Sequence, residues 1–159
     1  MAGPTASILV QRQVSEEQAA LMRNKIAEMS NHIEGDDFWI EERPFLLIMG
    51  PEYEDELAEY SEDGFEELLG WLPTDIVSIA AMCNDQIDHV LLGKLCLRLG
   101  KVLEGIIDFG GQLPTDGHKH QGLYAMPYTA AAGHECVSHV GTLKFLEWWI
   151  AQPNFGMVK

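Results

Sequence analysis

The sequence predicts an α+β fold: a largely antiparallel sheet with helices packed on one side, in a single domain spanning residues 1–159. Three observations carry this expectation. Short apolar runs rich in β-branched and aromatic residues are interleaved with segments of helical period, but without the regular strand–helix–strand spacing of a parallel sheet. No Ser/Gly linker, repeat or low-complexity tract divides the chain. A chain of 159 residues with 47% hydrophobic content can bury roughly two-thirds of its unfolded surface, enough for one core.

The elements follow in order. Thr5–Arg12 alternates weakly around Ile8, Leu9 and Val10 and reads as a first strand. Ser15 followed by Gln18 is a capping-box pattern, and Glu16 and Glu17 face the positive end of the helix dipole. Ala19, Met22, Ile26 and Met29 then recur at helical spacing, which predicts an amphipathic helix over Glu16–His32. Glu34-Gly35-Asp36-Asp37 is a turn, and Phe38–Glu41 and Phe45–Met49 are short strands separated by Arg43-Pro44. After the acidic stretch that Gly50-Pro51 opens, Ile76, Val77, Ile79 and Ala80 suit a buried strand, while Asp75–Met82 could also form one short helix. The N-cap that Asn84 offers to a following helix favours the strand. Asn84 offers an N-cap for a long helix over Asp85–Lys101, with Lys94, Arg98 and Lys101 placed toward its C-terminal end. Ile106–Phe109, Leu123–Pro127 and Cys136–Val140 read as three further strands. Thr142–Ala151 reads as a last helix, carrying Phe145, Leu146, Trp148 and Trp149 and stopped by Pro153. Adjacent tryptophans on a helix face different ways, so one of the pair is expected to be less buried.

Charge excludes several functions. With 25 acidic and 10 basic side chains the net charge is -15. Phosphate backbones and anionic membrane surfaces are bound by Lys and Arg, so neither direct nucleic-acid nor membrane binding is expected. No apolar run is long enough to span a bilayer, and the first ten residues lack the basic and apolar regions of a secretory signal. Cys83, Cys96 and Cys136 are an odd number without a CxxC pair, which reads as reduced thiols in a cytoplasmic protein.

The negative charge is concentrated. Glu52–Glu67 holds nine carboxylates in sixteen residues and no base: Glu52, Glu54, Asp55, Glu56, Glu59, Glu62, Asp63, Glu66 and Glu67. Tyr53, Tyr60, Phe65 and Trp71 are interleaved with or follow them. Such a run is either a solvated face or a surface that steers a basic partner and anchors it through aromatics. Its concentration and its aromatics favour the second reading, with Tyr53, Tyr60 and Trp71 as anchors. Asp36, Asp37 and Trp39 repeat the same chemistry on a turn and are added as contact candidates. No calcium loop is present.

Other constellations carry less. His118, His120, His134, Cys136 and His139 supply enough donors for zinc, but the H-x-H and H-x-C-x-x-H spacings match no known site, and no metal or other cofactor is expected. Asp85, Asp88 and His89 share a helix face and could form the acid/base set of a small hydrolase, although acids at a helix start also meet its dipole. Nucleotide-loop, nucleophile-elbow and zinc-protease motifs are absent, so no catalytic residue is assigned.

A series of landmarks spans nearly the whole chain: His32-Ile33-Glu34-Gly35-Asp36-Asp37-Phe38-Trp39, Gly70-Trp71-Leu72-Pro73, and Ala80-Ala81-Met82-Cys83-Asn84-Asp85 with Asp88-His89. Asp108-Phe109-Gly110-Gly111 and Phe145-Leu146-Glu147-Trp148-Trp149 with Phe155 complete it. In these the chain resembles small bacterial proteins, and in particular the cytoplasmic immunity proteins that accompany secreted polymorphic toxins, type VI effectors among them. The resemblance implies an α+β binding protein, not an enzyme, that sequesters a cognate toxin. Contact residues diverge widely in such proteins, so none is carried over by resemblance. The expected function is therefore to neutralise a basic toxin, such as a secreted nuclease, through the acidic surface. A small hydrolase and a non-catalytic adaptor are the alternatives, and a homodimer is compatible with each.

Overall fold

The backbone hydrogen bonds of eight strands close into one antiparallel sheet whose two faces are covered by different helices. The computed structural model describes residues 2–50, 54–115 and 119–159. The strands are Thr5–Val10 (β1), His32–Glu34 (β2), Asp37–Ile40 (β3), Arg43–Met49 (β4), Asp75–Ala81 (β5), Ile106–Asp108 (β6), Leu123–Thr129 (β7) and Glu135–Gly141 (β8). They lie in the order β2-β3-β4-β5-β1-β6-β8-β7. The helices are Glu16–Met29 (α1), Glu54–Glu62 (α2), Phe65–Leu69 (α3), Gln86–Leu103 (α4) and Leu143–Ile150 (α5). The predicted α+β class with a largely antiparallel sheet is what forms.

Side chains alternate across the sheet and divide the core in two. Ala6, Ile8 and Val10 of β1 and Val77, Ile79 and Ala81 of β5 join the large cluster that includes Met22 and Ile26 of α1, Leu92, Leu95 and Leu99 of α4, and Phe145 and Trp149 of α5. Leu9 of β1 and Ile76 of β5 point the other way, into a smaller cluster with Tyr60 of α2 and Phe65 of α3. Helices α1, α4 and α5 thus share one face, and the expectation of helices on one side only is corrected by α2 and α3, which form a thin layer on the opposite face. Trp149 is buried and its indole N–H donates to the Gly156 carbonyl at 3.0 Å, whereas its neighbour Trp148 is 43% exposed. Cys96 lies wholly inside, and burial pushes its thiol up to about 12. All three cysteines are free. No helix among the described residues is long and apolar enough to cross a membrane.

Several boundaries differ from expectation, three of them with a clear local cause. The Ser15–Gln18 capping box forms, but α1 ends at Met29, because Ser30 leaves the helical region and His32 pairs with Trp39 in a hairpin. The long helix is capped by Asp85 and not by Asn84: Asp88 at the third helical position accepts the Asp85 backbone N–H at 2.7 Å. The β3–β4 hairpin turns through Glu41 and Glu42, both at positive φ (49° and 63°), a tight turn that usually selects Asn or Gly.

Candidate functional site: the acidic face of α2 and α3

Seen from its sequence, α2 should scarcely be a helix. Within its nine residues Asp55/Glu59, Glu56/Glu59 and Glu59/Glu62 are like charges at three- or four-residue spacing. Each such pair costs roughly 0.2–0.5 kcal/mol, and a helix this short is marginal alone. Burial of its inner side must hold it. Leu57, Tyr60, Phe65 and Leu69, with Trp71 and Leu72 after them, pack against Leu9, Ile76, Ile106, Met126 and Val140 on the sheet. Phe65 is the hub, with edge-on ring contacts to Tyr60 at 5.4 Å and Trp71 at 5.2 Å. At the end of α3, Gly70 takes the left-handed conformation (φ 81°) and donates its N–H to the Glu66 carbonyl, which turns the chain toward Trp71.

One polar clasp reinforces the apolar attachment. Tyr60 donates its hydroxyl to Asp108 Oδ2 at 2.5 Å. The other oxygen of Asp108 accepts the Gly110 N–H at 2.8 Å and the Ser138 hydroxyl at 3.3 Å, so both oxygens of the buried carboxylate are hydrogen-bonded. Burial, and then the Asp108 charge, drive the Tyr60 hydroxyl well above its ordinary value. Glu56 faces the same cleft between α2 and the sheet. Its carboxyl is pushed up by burial, then by the nearby charges of Asp108 and Glu59.

The outer side is carboxylate. Glu54, Asp55, Glu59, Glu62, Glu66 and Glu67 are exposed, and Glu56 and Asp63 are half-buried. Among the described residues, no Lys or Arg forms an ion pair with any of these eight. Of the expected contact residues, Glu52 and Tyr53 lie outside the described residues. Tyr60 is corrected from a surface anchor to a core residue: only 6% of it is exposed, because its ring fills the gap under α2. Trp71 is half-buried against Phe65. Asp36, Asp37 and Trp39 sit on the β2–β3 hairpin, toward the far edge of the sheet, and do not join this cluster. Asp36 pairs with Arg23 at 3.1 Å, and Trp39 packs on His32 with ring centres 4.8 Å apart.

The proposed acid/base set is committed elsewhere. Arg43 grips Asp88 through two hydrogen bonds, Nε to Oδ1 at 2.8 Å and Nη2 to Oδ2 at 2.5 Å, and also reaches Asp85 at 2.6 Å. Those bonds hold the Asp88 carboxyl below its usual range against the effect of burial. His89 accepts the Met157 N–H on Nδ1 at 2.9 Å and meets the Asn84 amide oxygen at 3.2 Å. The three residues tie α4 to β4 and to the C-terminal segment, leaving no free acid/base pair. The histidines are likewise dispersed. His118 is outside the described residues, His120 lies against Trp148, His134 is in the β7–β8 turn, and Cys136 is half-buried on β8. His139 is buried and accepts the Leu113 N–H at 2.9 Å, and burial lowers its pKa. Among the described residues, no group of three or more His, Cys, Asp or Glu could hold a metal ion.

A family model matches residues 2–159, almost the whole chain. The chain belongs to the DUF6368 family. That family is described as one of unknown function, so membership defines the lineage of this DUF6368 chain and leaves its activity open. No curated protein and no solved structure matches it.

The two carboxyls set a pH dependence with opposite signs. Glu56 has a raised folded pKa, so protonation favours the native state and stability rises as pH falls through that value. Asp88 has a lowered folded pKa, so its contribution is complete above the unfolded value and is lost as pH falls through the folded one. Denaturant unfolding from neutral pH downward should therefore combine a gain from Glu56 with losses from Asp88 and from buried His139, whose lowered pKa withdraws stability as pH falls. In Glu56→Gln the gain should shrink while the losses remain, and an unchanged gain would refute the assignment to Glu56.

Proposed function

We propose that this chain is a cytoplasmic, non-catalytic immunity protein, which binds and neutralises a cognate basic toxin, a secreted nuclease effector of type VI or related systems. The observation that carries this reading is the set of six exposed α2–α3 carboxylates, which forms no ion pair with a Lys or Arg among the described residues and is held by a buried aromatic hub. A nuclease needs a basic groove for phosphates, and carboxylates presented in a row can occupy that groove in their place. Because Phe65, Tyr60 and Asp108 hold the helices down, little order would have to be gained on binding. The self-repulsion within α2 would be relieved in the complex.

Lysate of the source cells passed over the immobilised protein at low salt should leave one basic, secreted-type protein bound, and raised salt should release it. Co-expression should rescue cells from growth arrest by that protein. Replacing Glu59, Glu62, Glu66 and Glu67 together by glutamine should slow association by about tenfold or more and flatten its salt dependence. If the glutamine variant bound the same protein with the same salt dependence, the acidic face would not be the contact.

A further inference from the structure

We propose that the cleft beside α5 is a binding site for a small aromatic anion of the nucleotide type. The cleft, of about 840 Å³, lies within the size range of small-molecule sites, and its walls include Lys119, His120, Tyr124, Thr142, Lys144 and Trp148. None of its lining residues belongs to α2 or α3, and it is a separate proposal from the function above.

Two of its features are chemically specific. Trp148 is 43% exposed on a helix whose Phe145, Leu146 and Trp149 are all buried, and the ring of His120 lies against it at 4.8 Å. An exposed indole beside a second ring is a stacking platform for a flat heterocycle. Lys119 and Lys144 both line the cleft, and neither takes part in an ion pair among the described residues, in a chain where acids outnumber bases 25 to 10. Together they offer two ammonium groups to a phosphate placed beside the stacked ring. The -15 net charge opposes anions from a distance, but carboxylates farther than about 8 Å are largely screened at physiological salt.

The cleft is also built to hold its shape. The Leu123 N–H donates to the His120 carbonyl at 3.2 Å, closing a tight turn. The Thr142 N–H donates to the Gly122 carbonyl at 2.8 Å, and the Thr142 hydroxyl caps α5 by accepting the Phe145 N–H at 3.2 Å. Gly122 sits at φ 81°, and a Cβ there would come within 2.4 Å of the Thr142 hydroxyl oxygen. Only glycine permits this close approach, which sets the His120 turn against the start of the helix that carries Lys144 and Trp148.

The test is titration of the whole protein with AMP, followed by the indole N–H resonance of Trp148 and assigned through Trp148→Phe. AMP at millimolar concentration should shift that resonance saturably and leave that of Trp149, bonded to Gly156, in place. Adenosine, which lacks the charge, and inorganic phosphate, which lacks the ring, should each bind about tenfold or more weaker, as should AMP to Lys144→Glu. Lys144 is exposed, so that variant should fold. Absence of a saturable shift with AMP would overturn the proposal. So would equal responses to AMP and adenosine, or unchanged AMP binding by folded Lys144→Glu.

Discussion

Replacing Phe65 with alanine is expected to lower the unfolding free energy by about 3–4 kcal/mol. The side chain is fully buried and touches both Tyr60 and Trp71, so its loss leaves a cavity beneath two helices that have little stability of their own. The damage should be uneven. Hydrogen exchange in α2 and α3 should accelerate more than in α4, whose packing belongs to the other face of the sheet. Under the proposed function, the same variant should bind the toxin more weakly although every carboxylate is intact. Tyr60→Phe, which removes only the hydroxyl, should leave the Asp108 carboxylate short of one donor and cost less, about 1–2 kcal/mol. If Phe65→Ala unfolded with α2–α3 exchange still matched to that of α4, the aromatic hub would not be what holds these helices.

Asp88→Ala should be at least as severe, by about 3–5 kcal/mol, because it removes a fully buried carboxylate from a matched pair. Two things are lost together. The Arg43 guanidinium keeps only Asp85, and the Asp85 N–H at the start of α4 loses its acceptor. The losses separate in a second variant, Arg43→Met with Asp88→Leu, where the buried charge is gone and only the exposed Asp85 carboxylate loses its partner. Much of the stability should return, apart from about 1 kcal/mol for the missing cap. Urea denaturation of the single and double variants reads both numbers. Recovery in the double variant would identify charge burial, and not capping, as the larger part.

Residues that are neighbours in sequence were readable, and residues brought together by the fold were not. The capping box at Ser15 and the unequal burial of Trp148 and Trp149 follow from local spacing, whereas the spacing at residues 75–82 suits a strand or a short helix and the pairing with β1 and β4 decides for the strand. By contrast, β2 is three exposed residues that become a strand only because β3 supplies the register. The acidic run is visible in the sequence, but Tyr60 was misplaced on its surface. Its partner Asp108 lies 48 residues away, and the only hint is a lone acid in the apolar stretch Ile106-Ile107-Asp108-Phe109. Arg43 and Asp88, 45 residues apart, were hidden for the same reason, which left Asp88 open to a catalytic reading that its burial removes. The small second layer was also illegible, since α2 is polar enough to pass for a loop until Leu9 and Ile76 offer it a floor.

The strands at the two ends of the sheet bear on how the molecule keeps to itself. An uncovered strand edge can template another chain, and an open sheet has two such edges. Here one end is β2, only three residues long, and the other is β7, where Pro127 has no N–H to offer an incoming strand. Both are poor starting points for runaway sheet growth, and a dense coat of negative charge adds repulsion between copies. The chain should therefore remain dispersed when made in quantity, and any partner it holds should be met across a face of the sheet and not as an added strand.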